Sequence, residues 1–388
     1  LGSRSLPRDT LRERTARMMR FLCIVAVWAC ASAEMANWEK QGETMDEQVL
    51  ASPAHWTEAQ IFEHNTNPKS TWTAGHNIIF EHASLAEAKI RMGTKQDKEG
   101  KHTLPYKAPE KIVELPTEFD WRTDPRAAKC PSIKEIRDQS NCGSCWAFGS
   151  VEAMTDRICI NSTGADTTRL SAQDVTSCDV LGDMGCNGGI PSTVYTYYRT
   201  FGIVDGGKYG DKSMCWSYQL APCAHHTNST KYPACPEPKG TPGCKRKCVD
   251  DQKSWEGSKK RGMGGYSVCQ QGAANSACAD AMMQEIYQNG PITGMFFVKQ
   301  SFLSYKSGVY EAKLFEPMLG GHAIKIMGFG TENNVPYWLV ANSWNEDWGD
   351  HGYFKIKRGV DECQIENPII NGGPVAGMPK ASIHEFQV

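Results

Sequence analysis

The number and placement of cysteines constrain this chain more than any other feature. Of sixteen cysteines in 388 residues, two lie in an apolar run near the N-terminus, and the other fourteen lie between Cys130 and Cys363. The stretch between these two groups contains none. An apolar start, a cysteine-free segment and a cysteine-dense remainder predict different fates for three parts of the chain.

The apolar run has the pattern of a secretory signal peptide. A methionine and Arg20 precede the apolar residues 21–30, and a small-residue cleavage site, Ala-Ser-Ala, ends the run at Ala33. The run is short for a bilayer span, and the alternative is a buried helix at the start of a domain. We predict a signal peptide over 18–33, and we expect the Arg-rich residues 1–17 to lie upstream of the true start.

A secreted chain folds in an oxidising environment, so most of its cysteines should be paired. Cys23 and Cys30 would leave with the signal peptide, which leaves fourteen. If one of these is a reactive nucleophile, thirteen remain, and a second cysteine must stay free or pair between chains. The expected location is the secretory pathway, ending in the lysosome or outside the cell.

Composition and charge exclude two classes of partner. The formal net charge is −2, and hydrophobic and charged residues make up 40% and 22% of the chain. This is the balance of an ordinary globular protein. It indicates neither nucleic acid nor an anionic membrane as a partner. Two short basic clusters, 245–247 and 259–261, are interpreted as solvated surface.

Residues 34–113 differ in character from the cysteine-rich residues after them. They are polar, carry no cysteine and show one short helical pattern at 84–92. Residues 102–116 are rich in Lys, Pro and Glu, as expected of an exposed linker. We predict a propeptide over 34–113, called the pro-segment below, released by cleavage within 108–115; a small independent domain is the alternative. Residues 114–388, called the body, would form the mature domain.

The body divides into two parts with different periodicity. Residues 145–160 and 279–289 have helical patterns, the second ended by Gly290-Pro291, and residues 182–280 are rich in loops. Strand patterns follow at 294–298, 322–329, 337–342 and 353–357. A helical first half and a strand-rich second half predict an α+β fold of two packed lobes, with a ligand site in the cleft between them.

The stretch NCGSCWAF at 141–148 contains a C-x-x-C that has three interpretations. A redox pair usually belongs to a thioredoxin-like βαβ arrangement, which the flanking sequence lacks. A zinc site needs a second pair of ligands. The C-x-x-x-C at Cys244 and the histidine pair His225-His226 are present, but disulfides suit a secreted chain better. The third interpretation is a nucleophile beside a structural cysteine.

Four residues support the nucleophile interpretation. Cys145 begins a predicted helix, whose dipole favours a thiolate, and His322 follows two glycines at the head of an apolar strand as a candidate base. Asn342 ends another strand and can hold the second N–H of an imidazolium. Gln139, six residues before Cys145, can donate a side-chain N–H to an oxyanion. Each feature alone is weak, but together they favour a cysteine nucleophile.

These motifs resemble those of the papain-like cysteine proteases. The similar segments are QSNCGSCWAF, CNGG, GGHA and YWLVANSWNEDWG. Within that family the chain is similar to the cathepsin B-like members, through the paired histidines of APCAHHTNST and the pro-segment motif TWTAGHN. The resemblance covers 71–373. It implies a papain-like α+β fold with a helical left lobe, a β-barrel-like right lobe and an occluding loop at about 222–236.

The resemblance implies a role for each candidate site residue. Cys145 is the expected nucleophile, His322 the general base and acid, Asn342 its orienter and Gln139 the oxyanion donor. The expected substrate-binding residues are Gly188, Gly189, His225, His226, Gly321 and Trp344. Trp344 would cover the His–Asn hydrogen bond, and the histidine pair would bind the terminal carboxylate of a substrate.

The resemblance also implies contacts that hold the body together. Five disulfides are expected: Cys130–Cys159, Cys142–Cys186, Cys178–Cys244, Cys215–Cys248 and Cys223–Cys235. Cys269 and Cys278 lie outside that pattern and are free to pair with each other, which leaves Cys363 as a free, buried thiol. Asp138 and Asp347 match the acids that tether the occluding loop to the body.

The sequence departs from the family pattern in four places. A cysteine pair near Asp179 and Gly182 is absent, both members together. Pro368 stands where an acid would accept arginine in the second subsite, and Met295 stands where a small residue would widen it. We therefore predict a smaller, apolar subsite that disfavours basic side chains. The occluding loop is also longer than the family form, so the balance of exo- and endopeptidase activity stays open.

These observations predict the zymogen of a cysteine peptidase with endopeptidase and C-terminal peptidyl-dipeptidase activity. Expected partners are peptide and protein substrates, the pro-segment as inhibitor and cystatin-type inhibitors; no cofactor and no metal is expected. The alternative is a non-catalytic binding protein on the same fold, but Cys145 and His322 are both present. Asn161 and Asn228 begin sequons for N-glycosylation.

Overall fold

The structure is a computed structural model of the chain, and it describes residues 45–97, 100–236, 240–313, 315–367 and 374–377. The predicted signal peptide, residues 34–44 of the pro-segment and Pro368 lie outside the described residues. Of the helices within those ranges, none combines the length and apolar composition that crossing a bilayer requires.

One mixed sheet contains most of the strands. The described strands are β1 (Trp72–Ala74), β2 (Phe119–Asp120), β3 (Ile203–Val204), β4 (Lys259–Lys260), β5 (Gly265–Ser267), β6 (Ile292–Lys299), β7 (Tyr305–Tyr310), β8 (Met318–Glu332), β9 (Val335–Ala341), β10 (Tyr353–Lys357) and β11 (Val375–Gly377). The main sheet runs β1-β7-β10-β9-β8-β6-β11-β5, with β2 paired to β8, and β3 and β4 form a separate pair. Over the described residues this path stays open rather than closing into a barrel.

The helices belong mostly to the pro-segment and to the first half of the body. They are α1 (Glu47–Leu50), α2 (Glu58–Thr66), α3 (Leu85–Lys89), α4 (Cys145–Asn161), α5 (Ala172–Cys178), α6 (Pro191–Thr200) and α7 (Asn275–Asn289). A helical part and a sheet part on either side of α4 give the predicted α+β class.

Most of the predicted elements are present. The four predicted strands fall in β6, β8, β9 and β10, and the predicted helices fall in α3, α4 and α7. Helix α3 begins with a capping box in which Ser84 and Glu87 satisfy each other's backbone N–H. Helix α7 ends at Gly290, whose φ of +118° suits glycine.

The sequence patterns missed several elements. Helix α6 lies inside the segment that was predicted to be loops. The prediction missed this helix because its Thr, Val and Tyr residues are only moderate helix formers. Its buried residues, among them Val194 and Tyr195, pack in one cluster with α4, and this tertiary packing overrides the weak local preference. The pro-segment was expected to hold one short helix, but it also contains α1, α2 and β1.

Helix α4 lies between the helical part of the body and the sheet, and it is buried on almost every side. Trp146 and Val151 pack in the same apolar cluster as Tyr195 of α6. On the side that faces β8, a Cβ added at Gly149 would lie 2.9 Å from the backbone nitrogen of Ile324. This close backbone approach, which only glycine permits, holds the N-terminal part of α4 against β8.

The pro-segment adds a strand to the sheet of the body. β1 pairs with β7 in antiparallel register, with Trp72 opposite Gly308. Gly308 has φ +83°, and a Cβ there would lie 2.6 Å from the carbonyl oxygen of Thr71, so glycine is required for this approach. Such pairing favours the propeptide prediction over the alternative of a small independent domain.

Candidate active site

Cys145 is the first residue of α4, and its side chain is fully buried. Its Sγ accepts a hydrogen bond from the N–H of Gly93 at 3.2 Å and lies 3.6 Å from Oγ1 of Thr94. The backbone of Ala323, next to His322, also interacts with the sulfur. Burial outweighs these contacts and raises the pKa of the Cys145 thiol, so the thiol keeps its proton beneath the pro-segment.

His322 lies in β8 and is held by a residue that follows β9. Its Nε2 donates to Oδ1 of Asn342 at 2.8 Å, and its Nδ1 is buried without a hydrogen-bond partner among the described residues. Burial lowers the pKa of His322 to about 4, and the nearby charge of Arg91 acts in the same direction. The imidazole is therefore neutral here, and its Nδ1 is available to exchange a proton with a thiol.

Trp344 packs against this histidine. The ring centroids of His322 and Trp344 are 4.7 Å apart, and Trp344 is fully buried. Phe80 of the pro-segment packs edge-on against Trp344 with centroids 5.2 Å apart. The indole thus shields the His–Asn hydrogen bond on one face and receives the pro-segment on another.

Gln139 points its amide at the pro-segment. Nε2 donates to the carbonyl oxygen of Arg91 at 2.9 Å and to that of Cys142 at 2.7 Å, while Oε1 accepts from Oγ of Ser343 at 2.8 Å. The bond from Ser343 fixes which amide atom faces the cleft. A carbonyl oxygen of the pro-segment therefore occupies the N–H donor that was predicted to bind an oxyanion.

The pro-segment passes as an extended chain between the two walls of the cleft. Along one wall, the N–H of Gly189 donates to the carbonyl of Gly93 at 2.9 Å, and the N–H of Lys95 donates to the carbonyl of Gly189 at 2.8 Å. Along the other wall, the N–H of Thr94 donates to the carbonyl of Gly321 at 3.0 Å. Gly189 and Gly321, two of the three glycines predicted to bind substrate, thus bind pro-segment backbone, whereas the backbone of Gly188 bonds Gly185 and Met184 within the body.

Glycines make this approach possible. A Cβ at Gly188, whose φ is +108°, would lie 2.8 Å from the carbonyl oxygen of Gly93. A Cβ at Gly93 itself would lie 1.8 Å from the carbonyl oxygen of Gly143. Side chains at these positions would separate the pro-segment from the floor of the cleft.

The histidine pair of the occluding loop binds a carboxylate that belongs to the pro-segment. Oε1 of Glu87 lies 2.7 Å from Nε2 of His226 and 3.3 Å from Nδ1 of His225. The other nitrogen of His225, Nε2, is 3.2 Å from Oδ1 of Asn141. The structure therefore brings the predicted carboxylate anchors together around a carboxylate.

The two predicted tethers of the occluding loop differ. Asp347 holds the loop through Nζ of Lys231 at 2.6 Å and the hydroxyl of Tyr232 at 2.5 Å. The prediction for Asp138 does not fit this arrangement, because its carboxylate accepts from the backbone of Ser140 and from Nδ2 of Asn345, both in the body. His225 itself contacts Glu87 of the pro-segment, with its Nδ1 3.3 Å from Oε1 of Glu87.

The cysteine predictions are confirmed with one correction. All five expected disulfides form, and Cys269 pairs with Cys278. Cys145 and Cys363 carry the free thiols of the described residues. Cys363 is half-buried rather than buried, because it lies in a short turn with left-handed backbone at the edge of the sheet part.

Sequence reasoning missed two residues of the site, Glu87 and Arg91. Arg91 is fully buried and donates from its guanidinium to the carbonyls of Ser140 at 2.5 Å and Cys223 at 3.3 Å. It thus joins the pro-segment both to the cleft and to the occluding loop. No local motif marks either residue, since their roles come only from docking against distant parts of the chain.

The second subsite is described in part. Met295 is buried in β6, and its Sδ would lie 3.6 Å from a Cβ at Gly321. The sulfur thus lies beside one wall of the cleft, where it takes up space, while Pro368 lies outside the described residues. The smaller apolar subsite stays a prediction.

Sequence comparison with known proteins finds relatives that are cysteine proteases. The sequence model described as papain family cysteine protease matches residues 115–372. The chain is 42% identical over 315 residues to a cathepsin B-like cysteine proteinase of Schistosoma japonicum, covering 79% of this chain and 88% of the relative. It is 37% identical over 372 residues to cathepsin B-like cysteine proteinase 6 of Caenorhabditis elegans, covering 93% and 95%.

Solved structures show the same likeness. Procathepsin B S9 of Trypanosoma congolense superposes with a TM-score of 0.69 at 32% identity, covering 85% of this chain and 100% of that one. Digestive procathepsin L 3 of Tenebrio molitor shares the fold, with a TM-score of 0.57 at 21% identity over 83% of this chain and 88% of that one. The predicted α+β fold class is confirmed.

Proposed function

The chain belongs to the papain family of cysteine proteases, and from this premise we propose that it is the zymogen of a cathepsin B-like peptidase that cleaves peptide bonds through a thioester on Cys145. The observation that carries the proposal is the path of the pro-segment. A single extended chain hydrogen-bonds to both glycine walls, to Nε2 of Gln139 and to the Cys145 sulfur. A substrate peptide would use the same two walls and the same Gln139 amide, and would present a carbonyl carbon to the sulfur in place of the N–H of Gly93.

Acylation uses the four residues around the cleft. Once the pro-segment leaves and water enters, Cys145 passes its proton to Nδ1 of His322, and the thiolate attacks the substrate carbonyl carbon. The Gln139 amide stabilises the negative oxygen of the tetrahedral intermediate. The intermediate collapses, the C–N bond breaks, and His322 gives its proton to the leaving amine. The N-terminal part of the substrate remains as a thioester.

Deacylation repeats the chemistry with water. Nδ1 of His322 takes a proton from a water molecule, whose oxygen attacks the thioester carbonyl. Collapse breaks the C–S bond and releases a carboxylic acid, and the thiolate–imidazolium pair is restored. Asn342 keeps Nε2 protonated and the ring in plane throughout. Trp344 keeps water away from that hydrogen bond.

The histidine pair gives this peptidase a second activity. His225 and His226 hold the carboxylate of Glu87 in the zymogen. After the pro-segment leaves, the same nitrogens can receive the terminal carboxylate of a peptide. Anchoring that end fixes where the chain is cut, so the mature enzyme removes dipeptides from C-termini and also cuts internal bonds when the loop is displaced. The enzyme acts in the lysosome or outside the cell.

The thiol mechanism is tested with the two free cysteines of the described structure. Processed enzyme with Cys145→Ser should lose at least ~10⁴-fold in kcat/KM on a peptide amide substrate. Cys363→Ser is the matched control and should keep full activity, because that thiol lies away from the cleft. Equal activity of Cys145→Ser and the parent would refute the proposed nucleophile.

The peptidyl-dipeptidase activity is tested by mass spectrometry at about pH 5. One peptide is offered with a free C-terminal carboxylate and again as the amide. Successive loss of dipeptides from the free form alone is expected, and His225→Ala with His226→Ala should abolish that preference while internal cleavage continues. His351→Asn, at an exposed residue of the body with left-handed backbone, is the control. If the parent cleaves both peptides equally, the enzyme is an endopeptidase without peptidyl-dipeptidase activity.

A further inference from the structure

Three potential metal ligands meet where the pro-segment touches the occluding loop. Oε1 of Glu87, Nδ1 of His225 and Nε2 of His226 all lie within 4.8 Å of one another. Two of them come from adjacent residues of the loop, and the third comes from a helix of the pro-segment 138 positions earlier in the chain. We propose that these residues bind a divalent transition-metal ion, with Zn²⁺ the best match, and that the complete site exists only in the zymogen.

The hydrogen-bond pattern at this cluster is compatible with a bound cation. Nε2 of His225 faces Oδ1 of Asn141, an acceptor, so Nε2 carries the hydrogen. In a neutral ring the lone pair of Nδ1 then points at the carboxylate of Glu87 from 3.3 Å. Two electron-rich atoms facing each other repel unless a positive charge lies between them, and either a second proton on the ring or a metal ion can supply it. A metal ion bound to Nδ1 and to the carboxylate supplies that charge.

The ligand set matches zinc chemistry. Two imidazole nitrogens and one carboxylate oxygen, with water in the fourth position, form an open tetrahedral zinc site. Zinc bonds of about 2.0–2.2 Å place ligand atoms roughly 3.3 Å apart. The Glu87–His225 separation of 3.3 Å and the Glu87–His226 separation of 2.7 Å are near that spacing. Small side-chain shifts therefore suffice to admit the ion.

Two of the three ligands are oriented by neighbours. Asn141 fixes the ring of His225 through Nε2, which is the arrangement that protein metal sites use to select a histidine tautomer. The backbone N–H and the hydroxyl of Ser84 both donate to Oε2 of Glu87, at 2.8 and 3.0 Å. The capping interaction occupies one carboxylate oxygen and leaves the other, Oε1, directed at the histidines.

An ion can reach the cluster from solvent. The side chain of His226 is 68% exposed, whereas that of His225 is 10% exposed. A cavity of about 590 Å³ adjoins His226 and Glu87, and its lining includes the carboxylates of Glu47 and Glu81. These acidic groups raise the local concentration of cations at the entrance.

A bound ion would join the pro-segment to the occluding loop. The loop is itself closed by the Cys223–Cys235 disulfide, and Arg91 already bonds the carbonyl of Cys223, so the ion would add a second link between the two segments. It would be lost when the pro-segment is cleaved away, because Glu87 leaves with it. The metal site does not depend on peptidase chemistry, since it needs only the docked pro-segment and the loop.

The test uses the full zymogen with Cys145→Ser and Cys363→Ser, which prevents self-cleavage and removes both free thiols of the described structure. Zn²⁺ alone is titrated calorimetrically at pH 7.5, and Co²⁺ is titrated by visible absorption. One ion per chain is expected, with a Kd below about 10 µM. Glu87→Gln should weaken binding at least tenfold, although glutamine keeps the capping box at Ser84.

A matched control lies in the same pro-segment. Glu58 also bonds a single histidine, His76, at 2.8 Å, and Glu58→Gln should leave the affinity unchanged. Zn²⁺ should also slow removal of the pro-segment by an added protease at least fivefold in the parent, and not in Glu87→Gln. The proposal is overturned if the parent binds no ion at 1 mM Zn²⁺, or if Glu87→Gln binds as tightly as the parent.

Discussion

The backbone N–H of Gly93 donates a hydrogen bond to Sγ of Cys145 across 3.2 Å. The pro-segment therefore touches the nucleophile with its main chain and not with a side chain. This contact requires a glycine, because a Cβ at residue 93 would lie 1.8 Å from the carbonyl oxygen of Gly143. The inhibited state of the zymogen thus requires that residue 93 carry no side chain.

Replacing that glycine should release the enzyme from its inhibitor. In Gly93→Ala the new methyl group forces the pro-segment off the floor of the cleft and breaks its bonds to Gly189 and the sulfur. We expect the zymogen to process itself at least ~10-fold faster at pH 5, corresponding to about 1.4 kcal/mol of lost docking energy. The appearance of mature enzyme on a gel over time measures it.

The control is Glu81→Ala, at an exposed position of the same pro-segment, which should process at the parental rate. Mature Gly93→Ala enzyme should also have normal kcat/KM, since residue 93 is absent from it. An unchanged processing rate in Gly93→Ala would mean that the cleft tolerates the methyl group and that docking depends on other contacts.

The pro-segment also changes the charge state of the catalytic pair. Burial raises the pKa of Cys145 and lowers that of His322 to about 4. Between pH 4 and the raised thiol pKa, both groups are therefore neutral. Inhibition then has two parts: the cleft is filled, and the thiolate–imidazolium pair is discharged.

Thiol alkylation should report this difference. In a Cys363→Ser background, the zymogen should react with iodoacetamide only as pH approaches the raised thiol pKa, in a single rising curve. Mature enzyme should react at pH 6 at least ~100-fold faster, because the ion pair forms at acid pH. The shape of the pH profile separates the effect of the thiol's charge state from the effect of restricted access of iodoacetamide to the sulfur. A zymogen profile with an acid plateau like that of mature enzyme would contradict the discharged pair.

Local sequence was sufficient for much of the catalytic machinery. Cys145 and Asn342 stand at the ends of elements with clear periodicity, and the structure places them at the start of α4 and after β9. His322 was predicted at the head of its strand but lies inside β8, which begins at Met318. The disulfide pairing was predicted from the resemblance to the papain-like family and from the oxidising environment of the secretory pathway. The helix and strand predictions depend on patterns within a few residues of each site, whereas the disulfides join residues from 9 to 66 positions apart.

The features that the sequence could not predict depend on long-range docking. Glu87 meets His226 across 139 positions, and Trp72 pairs with Gly308 across 236. Neither contact leaves a periodic pattern in the sequence, because the partners lie on segments that are polar or short. The contact between His225 and Glu87 of the pro-segment could not be predicted for the same reason.

The second subsite should discriminate against basic side chains. Met295 is buried in β6, and its sulfur lies beside the wall formed by Gly321. A P2 peptide library should give kcat/KM at least ~10-fold higher for Leu or Val than for Arg, because an arginine head would be desolvated without a partner. Met295→Ala should narrow this ratio. Equal turnover of Arg and Leu by the parent would refute the apolar subsite.

A buried carboxyl in α4 should make the protein more stable in acid. Glu152 is almost fully buried, and its Oε1 has no hydrogen-bond partner among the described residues. Burial raises the pKa of Glu152 from 4.5 to about 7; Lys325 and Arg137 oppose the shift, and Asp156 adds to it. The folded chain therefore keeps a proton that the unfolded chain releases.

The sign of the pH dependence is set by that proton. Between about pH 4.5 and 7 the folded state binds one more proton than the unfolded state at this site, so stability falls as pH rises through this window. In the Cys145→Ser zymogen, the thermal midpoint should drop from pH 5 to pH 7.5. Glu152→Gln should reduce that drop by a few degrees, because the amide does not titrate. The control is Glu81→Gln, at an exposed site, which should leave the drop unchanged. If Glu152→Gln shows the same drop as the parent, a group other than Glu152 is responsible for the stability in acid.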